Sequence, residues 1–113
     1  MQYKQFNTQN KKWKVINFSH YKLSHIALKQ LALKDKDIIS IPAELKENMD
    51  VEEYVNELIA KLEWSDSYLI VLPGLSLLSG MLCRALAELQ MPYNIVNLIR
   101  SREDNVFYIN DIY

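Results

Sequence analysis

From residue 13 onward the chain alternates short apolar runs with stretches in which apolar residues recur every three or four positions. Trp13-Lys14-Val15-Ile16-Asn17-Phe18 is β-branched and aromatic and stops at the polar pair Ser19-His20, so it reads as a first strand. Between Leu23 and Leu33, the residues Leu23, Ala27, Leu28 and Leu31 form one stripe of a helix, with Ser24 placed to cap it. Ile38 to Ile41, closed by Pro42 with its missing amide donor, predicts a short second strand. Asp50 precedes Glu53 at capping-box spacing, and Val51, Tyr54, Val55, Leu58, Ile59 and Leu62 make the apolar face of a second helix.

Tyr68-Leu69-Ile70-Val71-Leu72 is unbroken apolar sequence, as expected of a strand buried on both faces. It halts at Pro73-Gly74. Leu77, Leu78, Met81, Leu82, Ala85, Leu86 and Leu89 then predict a third helix, with the small residues Gly80 and Ala87 on the rest of its surface. After Pro92, Tyr93 to Ile99 and Val106 to Ile109 predict two further strands, joined through the charged loop Arg100 to Asn105 as an antiparallel hairpin. This order predicts an α/β fold: a mostly parallel sheet with right-handed crossovers, flanked by helices and finished by a C-terminal β-hairpin. A length of 113 residues suits one domain, with Met1 to Asn10 as a mobile or loosely docked arm.

Charge and composition narrow the function. The net charge is -1, from 13 basic and 14 acidic side chains, so there is no global positive field for long nucleic acid, although a compact anion in a local pocket remains open. The single cysteine, Cys83, can form neither an intrachain disulfide nor a cysteine-rich metal site, and it fits a reducing compartment. The polar, basic start lacks a signal-peptide core and no run is long enough to cross a bilayer, so the expectation is a cytoplasmic protein without a membrane partner.

In open α/β sheets ligands collect at the carboxyl ends of the strands, where loops and helix N-termini expose unpaired amides. Two strand-to-helix loops therefore become candidates. Asn17-Phe18-Ser19-His20-Tyr21 supplies an amide, a hydroxyl, an imidazole and a phenol. Pro73-Gly74-Leu75-Ser76 supplies a glycine for close backbone approach and a serine able to cap the helix or bind an anion, but it lacks the length and Gly-Lys-Ser/Thr ending of a Walker loop. Arg100 and Arg102, after a strand end, are either a bidentate phosphate clamp or a solvated turn offset by Glu103 and Asp104.

His20 is either a general base, a base-edge donor or a ligand-stacking group, or else a solvated or capping residue, and its five-residue separation from His25 is wrong for a helical metal pair. No nucleophile-elbow pattern is present. No catalytic set, metal or cofactor is therefore expected.

Val15-Ile16-Asn17-Phe18-Ser19-His20 before a Leu-Ser helix start, and Tyr68-Leu-Ile-Val-Leu-Pro-Gly-Leu-Ser-Leu-Leu-Ser79 with the later Pro92 and basic Arg100, resemble small stand-alone CRISPR-associated Rossmann-fold (CARF-like) proteins. The resemblance runs from Trp13 onward. It departs where the family places proline directly after Ser-His and this chain has Tyr21-Lys22. It implies a homodimer or larger assembly that sequesters cyclic tetra-adenylate, the second messenger of type III CRISPR antiviral defence. Phosphates would then meet the amides of Gly74 to Leu77 with Ser19, Arg100 or Arg102, adenines would stack on Phe18, His20 or Tyr21, and the third helix with Met81 would form the dimer seam. Two alternatives stay open: a metal-independent ring nuclease that cleaves the cyclic nucleotide, and a protein-interaction module on the same fold.

Overall fold

The structure, a computed structural model, describes residues 3–6, 13–63 and 68–113. Its elements run β1 (Lys14–Asn17), α1 (His25–Leu31), β2 (Ile38–Ser40), α2 (Val51–Ala60), β3 (Tyr68–Val71), α3 (Ser76–Glu88), β4 (Asn94–Arg100) and β5 (Phe107–Ile112). The sheet order is β2-β1-β3-β4-β5, parallel up to β4 and antiparallel between β4 and β5. The expected α/β fold with its C-terminal hairpin is thus observed.

Strand alternation divides the core. Val15, Leu69, Val71, Val96 and Ile109 pack against Leu23, Ala27 and Leu31 of the α1 region, whereas Ile16, Phe18, Tyr68 and Ile70 pack against Val55, Leu58 and Ile59 of α2 and Leu78, Leu82 and Leu86 of α3. One helix therefore covers one face and two cover the other. The chain leaves β1 toward β2 over the first face and leaves β3 toward β4 over the second, which opens a crevice between the carboxyl ends of β1 and β3.

Two helix starts illustrate how local chemistry sets boundaries. The Ser24 hydroxyl accepts the Ala27 amide at 3.1 Å and Asp50 accepts that of Glu53 at 3.1 Å, so both predicted caps form. Ser76 does not cap α3: Leu75 occupies the cap position without a side-chain bond, and Ser79 Oγ instead donates to the Pro73 carbonyl at 2.9 Å.

The last strand is longer than predicted. Its register passes from Asn97 opposite Asp111 to Leu98 opposite Ile109, so Asn110 is an extra residue, and the bulge lets Ile109 and Ile112 pack on the same face despite their three-residue spacing.

The N-terminal arm is docked where it is described. Phe6 N–H donates to the Gln30 carbonyl at 2.8 Å and the Trp13 indole donates to the Phe6 carbonyl at 2.9 Å. Residues 1–2 and 7–10 of the expected arm lie outside the described residues. Among the described residues no helix is long and apolar enough to cross a membrane.

Candidate functional site

The β1–α1 loop is wired from beneath by Asn17. This side chain is 2% exposed; its Oδ1 accepts the Ser19 amide at 2.9 Å and the Ser19 hydroxyl at 2.6 Å, while its Nδ2 donates to the Tyr21 carbonyl at 2.7 Å. Its donors and acceptors are thus committed to a tight polar turn. Asn17 shapes the loop and has no surface to offer a ligand.

Phe18 corrects one expectation directly. It is fully buried, with 0% exposure, among Ile16, Ile70 and Leu78, so it cannot stack on a base. The alternation of β1 carries over to this residue and aims it at the α2–α3 face. His20 is exposed, but its Nε2 lies 3.1 Å from the Ala43 carbonyl, turned toward the segment after β2. Tyr21, in contrast, projects into solvent with 83% exposure.

What these residues border is a cleft of about 610 Å³ on the α1 side of the sheet. Leu23, Val71, Leu72, Leu98 and Val106 give it apolar walls, and Ser19, Tyr21, Lys22, Ser24, Arg100 and Phe107 complete its lining. Parallel strands β1 and β3 bring the first loop to the end of Val71, and β4 carries Leu98 and Arg100 out beside them. The Ser24 hydroxyl donates to the Phe107 carbonyl at 2.5 Å, tying the start of α1 to the start of β5 and closing the far side.

Two cations and two exposed rings face this cleft. Arg100 is held by its own turn, donating from Nε at 3.1 Å and from Nη2 at 2.6 Å to Asn105 Oδ1. Lys22 is exposed at the opposite loop, and Phe107 is 52% exposed. Among the described residues, no carboxylate, imidazole or thiol lines the cleft. Among the described residues, no group of three or more His, Cys, Asp or Glu is placed to hold a metal ion.

The second predicted loop goes elsewhere. Pro73 is buried, Gly74, Leu75 and Ser76 are exposed, and none of the four lines the cleft, because α3 departs over the opposite face. Gly74 has no positive φ, and a Cβ placed on it would meet nothing within 4 Å, so neither backbone conformation nor crowding requires glycine there. Arg102 sits exposed in the hairpin turn, away from the cleft lining.

Ser19, Tyr21 and Arg100 are therefore brought together, while Asn17, Phe18, His20, Pro73, Gly74, Leu75, Ser76 and Arg102 are not in the cleft wall. Sequence reasoning missed Lys22, Ser24, Leu98, Val106 and Phe107. The signal was present for Leu98: Val96, Leu98 and Arg100 keep the period of two that places them on one face of β4.

Three phenols are shifted. Tyr68 and Tyr93 are raised above 10.0 chiefly by burial, and Tyr3 is raised chiefly by its hydrogen bond to the Asp104 carboxylate. None of them lines the cleft.

Comparison with protein-family models, with curated proteins and with solved structures returned no match.

Proposed function

We propose that the protein is a non-catalytic binder of cyclic oligoadenylate, with cyclic tetra-adenylate as the preferred ligand, acting as a homodimer that sequesters this messenger. The observation that carries the reading is the cleft itself: apolar walls at the switch point of a parallel sheet, with Lys22 and Arg100 as cations and Tyr21 and Phe107 as exposed rings. Cations meet phosphates, and exposed aromatic faces stack on unpaired bases. The similarity of the Asn17-Phe18-Ser19-His20 and Leu72-Pro73-Gly74-Leu75-Ser76 segments to stand-alone CRISPR-associated proteins supplies the identity of the ligand.

Size favours an assembly. A cleft of about 610 Å³ is in the range of a site for one drug-sized molecule, and a ring of four nucleotides exceeds it. A two-fold dimer presents one such cleft to each half of a ring with matching symmetry. Sequestration is supported by a lining that, among the described residues, offers groups that hold charge and stack on bases.

The test is calorimetry with cyclic tri-, tetra- and hexa-adenylate, followed by chromatography of the recovered nucleotide and light scattering of the complex. Tight binding of the tetramer, an intact ring and a dimeric or larger mass are expected. Absence of heat with all three rings contradicts the proposal, and linear products would move the assignment to a ring nuclease.

A further inference from the structure

The described part of the N-terminal arm lies along the outer edge of β5, and its contacts converge on the turn that carries Arg100. Gln30, 1% exposed in α1, is the anchor: its Oε1 accepts the Ile109 amide at 2.7 Å, and its Nε2 donates to the Ile109 carbonyl at 2.8 Å and to the Lys4 carbonyl at 3.1 Å. One buried amide thus satisfies both backbone groups of an edge-strand residue and fixes the arm beside it.

At the other end of the segment, the Tyr3 ring packs against Tyr108 with centroids 5.0 Å apart. Its hydroxyl donates to the Asp104 carboxylate and lies 3.2 Å from Ser101 Oγ. Ser101 is 3% exposed and organises the turn: its amide donates to the Val106 carbonyl at 2.8 Å, its carbonyl accepts the Asn105 amide at 2.9 Å, and its hydroxyl accepts the Asp104 amide at 3.2 Å. Asn105 in turn holds the Arg100 guanidinium. A continuous hydrogen-bonded path therefore runs from Tyr3 through Ser101 and Asn105 to Arg100.

We infer that Tyr3 is a positioning residue for the cleft: residues 3–6 form a strap along β5 whose terminal phenol fixes the hairpin turn and so sets Arg100 and Phe107 at the cleft mouth. Its effect on ligand affinity rests on the binding function proposed above. The strap acts by lowering the freedom of the turn before the ligand arrives, which reduces the ordering cost of binding.

The test compares the full chain, Tyr3→Phe, Arg100→Ala and the double variant. Phenylalanine keeps the ring on Tyr108 and removes only the hydroxyl. Amide hydrogen exchange reads the strap without any ligand: at Asp104 and Asn105 it should rise by about fivefold in Tyr3→Phe, with Leu58 in α2 unchanged. Calorimetry with cyclic tetra-adenylate reads positioning: Tyr3→Phe should weaken binding by about fivefold, and should add little when Arg100 is already alanine.

Unchanged exchange at the turn overturns the strap. Faster exchange with wild-type affinity, or fully additive losses in the double variant, overturns positioning of Arg100. If the unmodified protein binds no cyclic oligoadenylate, the proposed function falls, and the exchange result still decides whether Tyr3 fixes the turn.

Discussion

The β1–α1 and β3–α3 loops look alike in sequence and end differently in space. Each follows a buried strand, each precedes a helix, and each carries a serine. The first borders a cleft with Lys22, Tyr21 and the β4–β5 hairpin around it; the second follows α3 to the opposite face and leaves Gly74 in open space. Neighbouring strands at a switch point send their helices to opposite sides, so a site at their ends is asymmetric. The hairpin decides which side is enclosed, because Arg100 and Phe107 stand on the α1 side alone.

The first loop departs most from its sequence reading at Phe18, which packs in the core. Phe18→Ala should cost about 3–5 kcal/mol in chemical denaturation. A residue that only touched ligand would leave the denaturation midpoint nearly unmoved.

Asn17 and Ser76 give the next contrast, a polar residue in each loop. Asn17→Ala removes the bonds that shape Ser19 and Tyr21 and should destabilise the fold by about 1–3 kcal/mol, whereas Ser76→Ala, without a capping bond, should stay within about 0.5 kcal/mol in the same assay. Equal effects would mean that the two loops are built alike after all.

Arg100→Ala should weaken cyclic tetra-adenylate by about tenfold in calorimetry, in line with losing one charge-assisted contact. Gly74→Ala should leave affinity unchanged and shift stability only by about 0.4–1 kcal/mol, in the stabilising direction, because the backbone there suits any residue. A large loss of affinity in Gly74→Ala would return the second loop to the site.

The smallest effect concerns pH and the two faces of the sheet. Tyr68 and Tyr93 pack on the α2–α3 side and Tyr3 on the hairpin, and all three phenols are raised in the folded state. Folding favours their protonated form, so this stability is fully present below 10.0 and is lost as pH rises through the raised folded values. Thermal midpoints should fall across that alkaline window, and Tyr68→Phe should shrink the fall. A fall of unchanged size in Tyr68→Phe would assign it to other groups.

How much of this was legible follows from periodicity. Tyr68 to Val71 announced a central strand because both faces demanded apolar residues, and Ser24 and Asp50 announced helix starts because their side chains serve the local backbone. The end of β5 was illegible because the bulge at Asn110 breaks the period of two that identifies a strand. Phe18 and Gly74 were misjudged for a related reason: a loop residue's local chemistry does not say which face its neighbours will cover. The cleft needed Leu98, Val106 and Phe107 from the far end of the chain, and their approach to Ser24 exists only once the strand order is known.

An NMR titration of the isotope-labelled protein with cyclic tetra-adenylate, following its backbone amides, reads directly which loop meets the ligand. The largest shift changes should fall on residues 19–24, Leu98, Arg100, Val106 and Phe107, with Gly74 to Leu77 little affected. Shifts centred on Gly74 to Leu77 with a silent hairpin would contradict it.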